Sequence, residues 1–188
     1  MVACPGNYAV FVPSFRYAQA LQPHLESRLD GVQMLVQPPR APEPLRADFL
    51  ARLAAADQPT LLLAVAGGVF AEGVDLPGKA LIGAVVVSPC LPGASFSRQL
   101  RQAWFDEHRE GAGFAYAFAY PGMQRVIQAA GRVHRTVEDV GVVVLVGERF
   151  VEPIYVEAVP ETWWDHSVEE LVTEDLTDRL ARFWRDQV

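Results

Sequence analysis

LLLAVAGGVFAEGVDLPG, Leu61 to Gly78, is the stretch on which the fold turns. Its first six residues, Leu61 to Ala66, are almost continuously apolar and stop at Gly67-Gly68. A strand with one wet face alternates apolar and polar residues; an unbroken apolar run of this length suits a central strand of a parallel sheet, covered on both faces. Ala80 to Val87 and Val142 to Val146 are runs of the same kind. Upstream, YAVFV (Tyr8 to Val12) is a short apolar, β-branched and aromatic run closed by Pro13. Ser14 then stands where it can N-cap an amphipathic stretch, Phe15 to Leu29. A second short run, Met34 to Val36, follows Gly31, and the Pro-rich PPRAPEP leads into a helical pattern from Leu45 to Ala55. Strand and helix alternate, which predicts an α/β domain with a mainly parallel sheet, helices on both faces and right-handed crossovers.

Beyond Pro89 the alternation is less regular. Ser95 to His108 reads as a polar helix. Phe114, Tyr116, Phe118 and Tyr120 alternate with alanines, a period of two that predicts a strand. Pro121 stands where a helix can begin, Met123 to His134 has the helical period, and an amphipathic helix over about Glu174 to Arg185 closes the chain. One domain over 1–188 is expected, with a core at 7–156 and a helical tail at 160–188.

Composition narrows the function. The 188 residues are 51% hydrophobic and 21% charged, enough apolar material for a sizeable core. Sixteen Lys+Arg against 23 Asp+Glu leave a net charge of −7, so any nucleic-acid contact is local rather than spread over the surface. No apolar run approaches the roughly 18 residues of a membrane span, and MVACPGNY lacks the charged and apolar regions of a secretory signal; a cytoplasmic protein without membrane contact is expected. Cys4 and Cys90 stand far apart, the four histidines lack metal spacing, and the thiols are read as chemically quiet.

Ligands of open parallel sheets gather beyond the carboxyl ends of the strands. Three segments there carry polar groups. GGVFAEGVDLPG holds two carboxylates, Glu72 and Asp75, among glycines; an ordinary surface loop has the same composition. QRVIQAAGRVHR, Gln124 to Arg135, places Gln128, Arg132 and Arg135 at i, i+4 and i+7 on one helical face, with Arg125 extending it. Met123, Val126, Ile127, Ala130 and Val133 fall opposite, and His134 falls near that apolar arc as a packing residue. Such a face is usually just solvated, but here no acidic partner stands at i±4, and the guanidiniums read as available to an external anion. Pro13-Ser14-Phe15 opens a helix whose backbone N–H groups suit a phosphate, although a plain cap explains Ser14 equally well.

Together these segments resemble a known family. QAAGRVHR, Gln128 to Arg135, is similar to motif VI of superfamily 2 helicases. AEGVDLPG, Ala71 to Gly78, is similar to motif V of the XPD-like and DinG-like branch, and FVPSF, Phe11 to Phe15, to motif IV. YPGMQRVIQAAGRVHR followed by GVVVLVGERF extends the likeness, so that it covers about Asn7 to Phe150.

The resemblance implies the second RecA-like motor domain of an ATP-dependent DNA helicase. By similarity, Arg132 and Arg135 reach across a domain cleft to the γ-phosphate of ATP, and Gln128 couples the nucleotide to the cleft. Glu72, Gly73, Asp75 and Gly131 lie on the same ATP-binding or coupling interface, and Ser14, Phe15 and Arg125 face single-stranded DNA. The cofactor implied is ATP with Mg²⁺, the metal being held by an N-terminal RecA-like domain that carries the phosphate loop; that domain and single-stranded DNA are the expected partners.

The departures matter as much. No GxxxxGK[ST] occurs, and there is no strand-borne Asp-Glu-x-His box. Phe105-Asp106-Glu107-His108-Arg109 lacks the spacer residue and sits on a polar helix. The iron–sulfur module of some relatives belongs to their first half, and none is expected here. GERF, Gly147 to Phe150, departs from the aspartate common after this strand. The expectation is half a motor, inactive on ATP alone, either an expressed fragment or a shortened reading frame. A degenerate stand-alone RecA-like module that binds nucleic acid or protein without ATP chemistry is the competing reading.

Overall fold

Tyr8–Val12 forms β1, and all five residues are buried, as a strand flanked on both sides and covered on both faces requires. The computed structural model describes residues 4–55, 57–72, 81–134 and 136–187. In them β2 (Gln33–Val36), β3 (Thr60–Val65), β4 (Gly83–Val87) and β5 (Val142–Val146) join β1 in one parallel sheet of order β2-β3-β1-β4-β5. Phe11 is in register with Ala64 on one side and Val86 on the other. The α/β architecture with a mainly parallel sheet expected from the sequence is found, with five strands, all parallel.

The helices are α1 (Phe15–Glu26), α2 (Glu43–Ala55), the single turn α3 (Val69–Glu72), α4 (Phe96–His108), α5 (Tyr120–Ala130), α6 (Pro153–Val156) and α7 (Leu176–Asp186). The connection from β1 to β2 runs one way across the sheet, and those from β2, β3 and β4 run the other way. Crossovers of one hand therefore place α1 on one face and α2, α3 and α5 on the other. The burial pattern agrees. Ala9, Phe11, Leu62, Ala64, Ala84 and Val86 pack with Phe49 and Leu53 of α2, Phe70 and Ala71 of α3, and Met123, Val126 and Ala129 of α5. On the reverse face Tyr8, Val10, Val12, Leu61, Leu63 and Val65 meet Ala18 of α1, with Phe15, Leu21 and Leu25 alongside.

Two buried amides fasten this frame. Asn7 Nδ2 donates to the Leu53 carbonyl at 2.7 Å, and Asn7 Oδ1 accepts from the Thr60 N–H at 3.1 Å. Gln37 Oε1 accepts from the Val65 N–H at 3.0 Å.

Four sequence expectations are corrected. The aromatic–alanine segment is not a strand: Ala115–Ala119 is a π-helical turn that runs directly into α5, so Pro121 lies inside a continuous helix instead of starting one. Ala115, Ala117 and Ala119 are all buried, because this segment packs against both α4 and α6 and is covered on more than one side. The motif-like helix stops at Ala130, not His134, with Gly131 as its cap. His134 is exposed, its Nε2 lying 3.2 Å from the Gly141 carbonyl, and is not a packing residue.

Candidate functional site

The candidate residues divide between the carboxyl edge of the sheet, where Ser14, Gly67 and Arg125 lie, and the far end of α5, where Gln128, Gly131 and Arg132 lie. β1 and β4 are neighbours whose connections depart in opposite directions, so the crevice beyond their carboxyl ends is where such a sheet binds ligands. Ser14 follows β1 with extended backbone, and its Oγ accepts the Tyr17 N–H at 3.2 Å, an N-cap for α1. Phe15 is half-buried against the α1 face.

Beyond β3, Gly67 has φ +77°, a conformation that glycine adopts without steric cost. A Cβ on Gly67 would lie 2.7 Å from Arg125 Nε, and one on Gly68 would lie 2.7 Å from Gln37 Nε2. Sequence reasoning passed over Gln37; a buried amide directly after the QMLV run is the signal that marks it. After β4 the chain turns through Ser88 at φ 65° and Cys90 at φ 54°, left-handed positions that cost non-glycine residues about 1–3 kcal/mol each. The Cys90 thiol is buried, and burial pushes its pKa up to about 12 against the opposing pull of Arg125, so it is no nucleophile near neutral pH.

α5 runs from this edge toward the opposite one. Gly122, near its start, is packed on the Pro89 carbonyl, and Val133, just past its end, is packed on Gly141, which precedes β5. Met123, Val126 and Ala130 are buried on the inner side and Gln128 is exposed. The two described arginines are not the open cations that the missing acidic neighbours suggested. Arg125 Nη1 donates to the Cys90 carbonyl at 3.4 Å, and Arg132 Nε donates to the Ala71 carbonyl of α3 at 2.8 Å. Because the helix ends at Ala130, Arg132 lies in the turn beyond it, and the i, i+4 spacing from Gln128 does not run along a single helix. Gly131 is exposed, with φ −62° and room for a Cβ, so its own backbone does not demand glycine. Gly73, Asp75, Arg135 and the Glu72 side chain lie outside the described residues.

A model of the helicase C-terminal domain family matches residues 1–166. The chain belongs to that family. Two solved structures, an XPD helicase and an apo XPD, share the fold of this helicase C-terminal domain with TM-scores of 0.61 and 0.60. They are 22% and 19% identical to it over 81% and 82% of its length. This chain spans 27% and 30% of those two chains, less than a third of either.

The helicase C-terminal domain also carries an aromatic surface where α5 is extended beyond the carboxyl edge. Trp104 stacks on His108 at 4.4 Å and meets Phe105 edge-on at 5.0 Å; Phe105 stacks on Tyr116 at 4.2 Å, and Tyr116 meets Tyr120 edge-on at 5.3 Å. Trp104 and Tyr116 are 49% and 40% exposed, so the ladder presents ring area to solvent. Among the described residues no group of three His, Cys, Asp or Glu side chains could hold a metal ion, and no helix is long and apolar enough to cross a membrane.

Proposed function

We propose that this domain is the second motor domain of an ATP-dependent DNA helicase, working with a phosphate-loop domain and single-stranded DNA. The observation that carries the reading is the end of α5: exposed Gln128 and bare Gly131 stand beside Arg132, whose Nε is anchored on Ala71 of α3. A glycine without a conformational reason suits a surface that another body approaches closely. Arg132 and Arg135 supply cations to the phosphates across that approach, Gln128 senses the nucleotide, and Glu72, Gly73 and Asp75 relay its state toward the strand. ATP supplies the transferable phosphoryl group, and the Mg²⁺ that accompanies it is assigned to the partner domain that carries the phosphate loop. The amide of Gln128 and the guanidinium of Arg132 are donors of the kind that suit the phosphate end of the nucleotide.

Ser14 and Phe15, beside the β1–β4 crevice, are assigned to the single strand, with the protein in the cytoplasm. The exposed rings of Trp104 and Tyr116 support a stacking contribution, because every base offers a π-face and stacking tolerates any sequence. Trp104→Ala should weaken binding of a labelled oligo-dT to the complete enzyme about 5- to 150-fold, corresponding to about 1–3 kcal/mol per stacked base. Unchanged anisotropy titrations would remove Trp104 from the strand path.

The deciding experiment is ATP hydrolysis with and without single-stranded DNA, on this chain alone and on a chain joined to a phosphate-loop domain. Hydrolysis by the joined protein only is the expected result. Hydrolysis by this chain alone would overturn the half-motor reading. A joined protein that binds the strand without hydrolysis would favour the degenerate binding module.

A further inference from the structure

We propose that Arg125 is a positioning residue, a brace from α5 that holds the turn after β3 and the strained loop after β4 as one rigid edge. Two contacts on different loops carry this. The guanidinium lies so close over Gly67 that a Cβ there would sit 2.7 Å from Nε and 2.9 Å from Cζ, while Nη1 donates to the Cys90 carbonyl at 3.4 Å. Those loops leave adjacent regions of the sheet but share no strand: β3 and β4 are separated by β1. A side chain that touches both spans the crevice from the helix side.

The loop after β4 has need of such a support. Ser88 and Cys90 both hold left-handed backbone around Pro89, a conformation that persists only where the surroundings over-determine it. The Ser88 N–H is fixed to the Val146 carbonyl at 2.8 Å, and Pro89 is packed on Gly122 of α5; Arg125 adds a charged donor at the Cys90 carbonyl one turn further along the same helix. A second arginine, Arg132 in the turn just beyond the helix, holds Ala71, so α5 and the turn that follows it grip the segment from Gly67 to Ala71 at both of its ends. Movement of α5 is thereby passed to the turn after β3 and to the loop after β4 together. In functional terms this rests on the motor-domain reading: Arg125 acts through the loops and not by touching the strand.

The test pairs Arg125→Met with Arg125→Lys. Hydrogen–deuterium exchange on this full chain should show the amides at 67–71 and at 88–91 both exchanging at least about tenfold faster in Arg125→Met, with partial recovery in Arg125→Lys and the strands unchanged. Faster exchange in only one of the two segments, or in neither, overturns the brace. Should Arg125→Met fail to fold, Gly67→Ala challenges the same contact from the loop side and should loosen the 88–91 amides as well; protection there at the level of the unaltered chain overturns the proposal. In the complete enzyme Arg125→Met should lower the DNA-stimulated kcat while leaving single-strand affinity within about twofold; lost affinity with both segments still protected would make Arg125 a direct strand contact instead. The exchange measurements stand without any ATPase activity, so failure of the helicase reading and failure of the brace remain distinguishable.

Discussion

On the proposed motor-domain role, Arg132→Ala and Arg135→Ala in the complete enzyme should each lower DNA-stimulated ATP hydrolysis by about 10³-fold or more, the scale at which a cation on the transferring phosphoryl group matters. The barrier for phosphoryl transfer is lowered mainly by positioning and by charge placed against the equatorial oxygens, so truncating either guanidinium removes stabilisation that water does not restore. Arg132→Ala should also move a second readout. Arg132 donates from Nε to the Ala71 carbonyl of α3, and alanine there also loosens that contact, costing about 1 kcal/mol of stability. Arg132→Lys keeps the charge but not the planar fork and should stay near the inactive level. Steady-state hydrolysis with and without single-stranded DNA, together with thermal melts of each variant, measures both effects. Near-normal turnover in both alanine variants would exclude the cross-cleft role.

The largest expected loss of stability follows Phe11→Ala. Phe11 is fully buried on the central strand, flanked in register by Ala64 and Val86, and it faces the side that packs against α2, α3 and α5. Its neighbours on that face include Ala9, Ala64 and Ala84, side chains too short to swing into a vacated volume. The cavity therefore persists, and the variant should lose about 3–5 kcal/mol, a large share of the roughly 5–15 kcal/mol of a typical domain. Urea unfolding monitored by circular dichroism gives the number; Val151→Ala, at a 59% exposed position, is the control and should change stability by no more than about 0.5 kcal/mol. A loss below about 1.5 kcal/mol for Phe11→Ala would mean that the central strand is not packed as described.

What the sequence showed clearly was burial. Apolar runs such as Leu61 to Ala66 have only one comfortable place in an α/β domain, and the strand positions followed from them. The segment from Phe114 to Tyr120 has the period of two of a strand and is nonetheless helical. Its alanines are strong helix formers and it contains no β-branched residue, a local preference that outweighed the alternation. The alternation itself arose from a helix squeezed between α4 and α6, a tertiary circumstance that spacing does not encode. At the site, the motif segments were legible as strings, but the partners were not. Nothing in QRVIQAAGRVHR indicates that Arg125 reaches Cys90 or Arg132 reaches Ala71, since both contacts span long sequence separations. Asn7 and Gln37 escaped notice for the same reason: each satisfies backbone groups on a strand made much later in the chain.

The order of the strands also governs how this domain emerges from the ribosome. β1, translated before the others, ends up in the middle, paired with β3 from Tyr8 opposite Leu61 and with β4 from Tyr8 opposite Gly83. At about 5–20 residues per second, its first neighbour is synthesised roughly 3–10 s after it, and the second later still. Throughout that interval YAVFV is an apolar segment with unpaired N–H and C=O groups on both sides, the kind of stretch that nascent-chain chaperones shield. The Asn7 amide, which joins the chain ahead of β1 to Leu53 and Thr60, can close only when the third strand arrives, so the central strand is secured by what is translated after it.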